Sequence, residues 1–363
     1  MKIAFLGDIA FFGKCSTKGN RNIKTYFGDV AELLSKYDLV IGNLETPFSE
    51  NKIPYGAKSA YICADKEDVK LLRMLHINAV TLANNHMYDY GSNGVALTRQ
   101  LLEQQNINFF GLDGEDWKCE IDNNKLAFTG YCCYSTNPLR TVPYGRKGVN
   151  EFNVNNVSEI LLKNAQEGYL NIISVHAGIE HVNYPSYDTI IAARDFSRIA
   201  PYIYYGHHPH VSQGIERINK SLIAYSLGNF CFDDVYSSVS SKPLVQLTEN
   251  NRSSFILEVE ITNNEIVSYK TIPIYIGLDK LYVNVGTKEG DLQKYTNDIQ
   301  QKSKDDYELM RNKIIADRLQ TRKNTRNLEW FIKRIRPRYV KLFLTNILNH
   351  RKYIKCVCSY LKY

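Results

Sequence analysis

Asp8, Glu45, Asn85, His176 and the run His207-His208-Pro209-His210 each follow a hydrophobic stretch of this chain. Their side chains are carboxylates, a carboxamide oxygen and imidazoles, the donors that hold borderline and hard divalent metal ions. Three of the eight histidines fall within four positions at 207–210. On an extended backbone His208 and His210 project from the same face, so the pair suits one ion or two adjacent ions. The residue types and their spacing thus point to a metal site and leave the reaction open. Asn84-Asn85-His86 adds an imidazole where an ordinary turn needs none, and Asp89 and Gly91 close behind it indicate a tightly organised loop.

Residues so far apart in sequence meet only if their elements bring them together. In an α/β sheet, ligands gather outside the carboxyl ends of the strands. The pattern predicts strands at 2–7, 38–42, 77–82, 107–111, 125–132, 170–175, 202–205 and 222–227, each just ahead of a polar segment or a turn. Helices are predicted between them, at about 23–36, 65–75, 92–105, 156–167 and 187–200. Ser92 is the expected N-cap of the third. Strands at 253–261 and 265–275 flank Asn263-Asn264, a hairpin-turn pair. Strand and helix in alternation, followed by a hairpin, give an α/β layered fold with helices on both faces.

A chain of 363 residues can bury a substantial core. The reading is a domain over 1–285 and a helical, basic extension over 290–363. The net charge of +7 is unevenly spread, because residues 301–363 hold 17 Lys and Arg against 5 Asp and Glu, leaving 28 against 33 before them. The basic character therefore belongs to the tail and describes nothing about the metal donors. Within 327–348 basic residues alternate with Leu328, Phe331, Ile332 and Ile335, and Pro337 is expected to break or kink a helix there. That mixture suits a membrane surface or a membrane-bound partner better than nucleic acid, whose phosphates need no large apolar residues. A packed helical extension with a solvated basic face explains it equally well.

The eight cysteines form no CxxC pair and read as free thiols. No run of about 18 apolar residues exists, and the chain enters a strand at once without a cleavable apolar leader. The protein is expected in the cytoplasm, with peripheral membrane association as a further reading.

The ordered segments Gly7-Asp8, Asn43–Glu45, Ala83–His86, Val175–Glu180, Gly206–Gln213 and Ser226–Phe230 resemble the bacterial capsule-synthesis (CapA-type, poly-γ-glutamate biosynthesis) family, itself similar to the calcineurin-like metallophosphoesterases. The resemblance covers about residues 1–275. It implies a four-layer α/β-β/α sandwich with the site at the strand ends. It also implies roles. Glu45 would bridge two divalent ions, manganese or another transition metal, with Asn85, His176 and His208 on one and Asp8 and His210 on the other. His86 would donate a proton to the leaving oxygen. Asn43, Asn84, Glu180, His181, His207 and Asn229 would support these groups or meet substrate. Two departures stand out. The superfamily's opening Asp-x-His reads Asp8-Ile9-Ala10 here, one imidazole short, and either His207 or His208 can serve as the ligand of the last motif, His208 being preferred for its spacing from His210.

The function this implies is hydrolysis of a phosphomonoester or phosphodiester in capsule or surface-polymer biosynthesis, on an anionic or sugar-phosphate substrate. Tyr55, Lys58, Tyr88, Tyr134, Arg140, Tyr144 and Arg146 are candidates to line its pocket. The alternative is a non-hydrolytic subunit of a membrane-associated polymer-synthesis complex that binds metal or polymer.

Overall fold

A computed structural model describes residues 1–236, 243–324 and 337–359. Fourteen strands carry the architecture: β1 (Lys2–Ile9), β2 (Leu39–Leu44), β3 (Ala79–Thr81), β4 (Asn108–Phe110), β5 (Trp117–Ile121), β6 (Asn124–Cys132), β7 (Leu170–His176), β8 (Tyr202–His207), β9 (Ile215–Ile218), β10 (Ser221–Ala224), β11 (Asn229–Cys231), β12 (Ser253–Thr262), β13 (Glu265–Ile276) and β14 (Leu281–Val283). The larger sheet runs β14-β13-β12-β1-β2-β3-β4 with β11 also on β1, and the smaller runs β9-β10-β8-β7-β6-β5. Helices α1 (Gly28–Leu34), α2 (Val69–Met74), α3 (Gly91–Gln104), α4 (Val154–Gln166) and α5 (Tyr187–Ile199) fill the crossovers.

Alternation of side chains along the strands assembles three apolar layers. Ile3 and Phe5 of β1, Leu39 and Ile41 of β2, Ile172 of β7, and Ile203 and Tyr205 of β8 meet in one cluster between the sheets. Their neighbours Ala4, Leu6 and Val40 face the other way, into a core with residues of α1–α3. Ile173, Val175, Tyr202 and Tyr204 face away from the first sheet into a third core with α4 and α5. Helix, sheet, sheet, helix is the four-layer α/β-β/α sandwich. Because both faces of the central strands are covered, they read as continuous apolar runs instead of alternating ones.

Parallel pairing aligns the carboxyl ends that matter. Asp8 pairs with Asn43 across β1 and β2, and Asn43 with Thr81 across β2 and β3. Asp8 also pairs with Asn229 of β11. In the second sheet His176 lies level with His207 and with Cys132.

Local details differ from the expectations in instructive ways. The predicted 23–36 helix is two pieces, Ile23–Tyr26 and α1, separated at Phe27. Ser92 is not the N-cap of α3: the helix begins one residue earlier at Gly91, whose φ of +69° no other residue adopts freely. Among the caps that do form are Asn153 on α4 and Ser186 on α5. Asn263 and Asn264 take φ of +53° and +63°, the left-handed pair of a tight hairpin.

After β14 come α6 (Glu289–Gln301), α7 (Lys304–Asn324) and α8 (Pro337–Cys356). Pro337 is the first residue of α8, where its missing N–H costs nothing. Residues 327–336, including Leu328, Phe331, Ile332 and Ile335, lie outside the described residues. Ile299, Tyr307, Cys356 and Val357 join the outer core of the second sheet, so the extension adds helices to that face. The cysteines are free thiols, and among the described residues no helix is long and apolar enough to cross a membrane.

Candidate metal centre

Close approach of backbones sets the floor of the site. A Cβ on Gly7 would lie 1.9 Å from the Gly228 carbonyl oxygen, so only glycine lets the ends of β1 and the 226–229 turn meet. Asp8 and Asn229 are thereby brought side by side.

The Asp8 carboxylate is fully buried. Its Oδ1 accepts from Asn43 Nδ2 at 2.8 Å, and its Oδ2 lies 3.2 Å from His210 Nδ1 and accepts the His208 backbone N–H at 3.3 Å. His210 Nδ1 is also 2.9 Å from Asn229 Oδ1. Asn251, a residue the sequence reading did not single out, donates from Nδ2 to the His210 carbonyl. Burial opposes ionisation of Asp8, but His207 and His210 outweigh it and hold its carboxyl well below the usual range. Burial works against charge on His210 as well, yet Glu45 and Asp8 raise its imidazole to about 10.

Glu45 is the anomaly. Both its oxygens are buried and neither has a hydrogen-bond partner. Oε1 is 3.6 Å from His210 Nε2 and 3.9 Å from His86 Nε2. Burial first, and the Asp8 carboxylate second, push it well above the usual carboxylate range. Buried polar atoms nearly always find a partner, so a carboxylate without one needs an explanation. Asp8, Glu45 and His210 each offer a donor atom, all within 4.8 Å of one another.

A second cluster adjoins the first. His176 Nε2 is 3.0 Å from Asn85 Oδ1 and 3.2 Å from His208 Nδ1, so three donor atoms from three strand ends point at one place. Asn85 is oriented by donating from Nδ2 to the Thr136 carbonyl at 3.1 Å. Burial takes the His208 imidazole down to about 3, and burial with the neighbouring His208 takes His176 well below its usual value. Neutral imidazoles with free lone pairs are the form in which histidine binds metal. The donors and the orphaned Glu45 oxygens fit divalent cations, since carboxylate, amide oxygen and neutral nitrogen are the set such ions take.

His86 stands beside both clusters. Its Nδ1 is 2.7 Å from Asp89 Oδ2 and 3.1 Å from Lys58 Nζ, which leaves Nε2 facing Glu45. Lys58 also donates to Asp89 Oδ1 and to the Asn85 carbonyl. Burial lowers the His86 pKa, with Asp89 pulling the other way. The sequence reading noted Asp89 only as a loop residue and Lys58 as pocket lining; the i, i+3 spacing from His86 was the signal for the former.

The remaining residues fall around this centre. Asn84 Nδ2 donates to Asn43 Oδ1 and to the Leu44 carbonyl, tying the β2 and β3 ends together. His207 is buried, its Nδ1 3.4 Å from Asp8 Oδ1 with neither ring nitrogen hydrogen-bonded. It stays level with His176 in the ladder, while His208 and His210 leave it with φ of +92° and +56°. The extended backbone expected for that run is therefore absent, and the two rings converge through left-handed turns instead. His181 backbone N–H donates to the Pro209 carbonyl, and its ring centre is 6.5 Å from that of His210. Glu180 sits at the rim, 3.8 Å from Arg318 of α7. Ala10 is fully buried and contributes no donor side chain. Of the other candidates, Tyr55 and Arg140 line a cleft of about 370 Å³ with Lys341, Tyr134 lines one of about 500 Å³ with Arg311 and His350, and Tyr144 donates to Asp116 instead.

Among solved structures, the chain resembles a putative 5′-nucleotidase from Staphylococcus aureus (12% identity, TM-score 0.47, over 83% of this chain and 58% of that one). It also resembles NAD nucleotidase from Haemophilus influenzae (15% identity, TM-score 0.43, 88% and 68%). Sequence relatives are nearer. Capsule biosynthesis protein CapA of Bacillus anthracis is 28% identical over 77% of this chain and 71% of its own length. PGA biosynthesis protein CapA of Bacillus subtilis (strain 168) is 29% identical over 76% and 74%. The model of one family, the bacterial capsule synthesis protein PGA_cap, matches residues 2–234. That stretch contains every donor that converges at the strand ends, and the chain belongs to the bacterial capsule synthesis (PGA_cap) family.

Proposed function

We propose that this member of the capsule-synthesis family is a metal-dependent phosphoesterase acting in capsule or poly-γ-glutamate biosynthesis. The observation that carries the reading is Glu45, a buried carboxylate with no hydrogen-bond partner for either oxygen, set among five further metal-donor side chains. Asp8 and His210 would hold one ion, Asn85, His176 and His208 a second, and Glu45 would lie between. Divalent ions at such a site supply a nucleophilic hydroxide at neutral pH and neutralise phosphoryl charge. Manganese or another transition metal suits the mixed nitrogen and oxygen donors.

The chain's own residues do the rest. Asn43 fixes Asp8 through one oxygen and leaves the other toward His210. Asp89 and Lys58 fix the His86 ring, so its Nε2 is the nitrogen that can pass a proton to a leaving oxygen. General acid catalysis of this kind contributes about 10²–10⁴-fold. An anionic or sugar-phosphate substrate is the class such a site accepts.

The test is metal analysis of the purified protein, then Mn²⁺-dependent hydrolysis of bis-p-nitrophenyl phosphate with and without His176→Ala. Activity abolished by that substitution supports the reading; no bound metal and no turnover with any divalent ion overturns it. Ala10 favours one other reading, a metal- or polymer-binding subunit without hydrolysis. Stoichiometric metal with catalytic silence toward mono- and diesters is the result that selects it.

A further inference from the structure

Helix α8 is amphipathic in an inverted sense. At 100° per residue, Asn349, Tyr353 and Cys356 lie on one side, and that side packs on the domain: Asn349 and Cys356 are buried, and Tyr353 Oη donates to Asp188. The opposite side faces away from the protein, where an ordinary surface helix carries polar residues. Here it carries Val340, Phe343, Leu344, Ile347, Leu348 and Ile354, with Val340 62%, Phe343 64% and Leu344 55% exposed. The spacing i, i+3, i+4, i+7, i+8 makes them one continuous stripe. Residues 337–356 hold five Lys and Arg and no Asp or Glu. Lys341, Arg351, Lys352 and Lys355 are all exposed, so cations stand at both ends of the stripe, Lys341 beside Tyr55 and Arg140 at its start and Arg351, Lys352 and Lys355 at its end.

We infer that α8 is a docking face for an anionic bilayer surface, its apolar stripe entering the acyl boundary while its lysines and arginines meet headgroup phosphates. The charge decides between occupants. A second copy of the helix laid on the first sets cations against cations with no anion to answer them, whereas an anionic headgroup layer complements them all. The geometry is that of an interfacial helix, with the protein body taking the place of water on the far side. The helix also leans on the loop that orients Asn85. Lys352 Nζ lies 4.9 Å from the Tyr134 ring centre, and the Thr136 carbonyl in that loop accepts from Asn85. A bilayer bound at the stripe would lie across α8 from that loop. The inference does not depend on whether that centre hydrolyses anything.

The experiment is co-sedimentation of the full chain with vesicles of phosphatidylcholine alone and with about 30 mol% phosphatidylglycerol, at low and high salt. Partition into the anionic vesicles is expected, falling with salt, and lowered about fivefold for each of Lys341→Gln and Lys355→Gln. Phe343→Ser with Leu344→Ser is expected to lower it at least about tenfold, since both side chains would be buried in the membrane. Both residues are exposed, so the variants keep the parent's circular dichroism and thermal midpoint. Equal partition into both vesicle types, or partition unchanged by Phe343→Ser with Leu344→Ser, overturns the inference. So does a dimer in light scattering that the same double variant dissolves while the parent ignores vesicles, because the stripe then belongs to a second copy.

Discussion

Substituting Glu45 by Gln separates stability from metal binding in a way the proposed role requires. In the metal-free protein both Glu45 oxygens are buried without a hydrogen-bond donor and Asp8 repels them, while the His210 imidazole 3.6 Å from Oε1 offsets only part of that cost. A buried polar group left unsatisfied costs about 1–3 kcal/mol, more when it is charged. The glutamine side chain keeps the volume, loses the charge, and gains an amide that can donate toward Asp8, so the variant without metal is expected to be about 1–3 kcal/mol more stable than the parent. With metal the order reverses. Ligand binding stabilises the native state by about 2.7 kcal/mol at a hundredfold excess over Kd, and the variant, lacking the central carboxylate, forgoes most of that. The assay is denaturant unfolding of both proteins in EDTA and in saturating Mn²⁺, with metal content measured in parallel. Two curves that cross between the conditions confirm the reasoning. If Glu45→Gln destabilises the EDTA-treated protein by more than about 1 kcal/mol, Glu45 has a structural partner and is not waiting for a cation.

Three other outcomes follow from the geometry. His86→Gln is expected to lower kcat by about 10²–10⁴ with metal content unchanged, and Asp89→Asn to lower it less while shifting the pH profile, because Asp89 holds the ring without touching substrate; loss of metal in His86→Gln would make it a ligand instead. Asp116, half-buried against Tyr144, has its carboxyl raised by burial to about 6 from its ordinary 3.8. Its stabilising contribution is present below the unfolded value and lost as pH rises through about 6, so Asp116→Asn should flatten the stability curve between pH about 4 and 6 and add about 2 kcal/mol at neutral pH, read by urea titration at several pH values. Gly7→Ala, whose new Cβ would lie 1.9 Å from the Gly228 carbonyl oxygen, is expected to express as insoluble protein or to lose several kcal/mol; a soluble, normally stable variant would show that the two strand ends can part.

Much of this was legible because the central strands are buried on both faces. Apolar runs such as Ile3–Leu6 and Tyr202–Tyr205 end abruptly in polar residues, and the proposed donors lie at or just past those ends. What could not be read was conformation beyond the strand. His208 and His210 were expected to share a face of an extended chain, but their left-handed φ values are set by the crossing of the 206–211 segment over Asp8, a tertiary demand with no local signature. Lys58 was read as pocket lining because nothing in the sequence shows that its ammonium is buried against Asp89 and His86. The orientation of the apolar stripe of α8 was hidden for a related reason, although its mixture of basic and apolar residues was legible. Helical periodicity shows that one side is apolar, not which side the domain covers, and here it covers the other one.

The donor sets have a further logic in the layered fold. Asp8, Glu45 and Asn85 come from the carboxyl ends of the first sheet; His176, His208 and His210 come from the second. Each proposed ion takes ligands from both sheets, Asn85 with His176 and His208 on one side, Asp8 and Glu45 with His210 on the other. Below them the two sheets are joined by apolar contacts among residues such as Phe5, Ile41, Ile172 and Tyr205, which are non-directional and tolerate small sliding. At the strand ends that cushion stops, and the groups facing each other are charged or polar. Ions shared between the sheets would fix their relative position where the apolar layer cannot. On the proposed reading metal would act on the shape of the crevice as well as on its chemistry, and Ala10, one donor fewer on the β1 side, would loosen the clamp at the ion that Asp8 would hold.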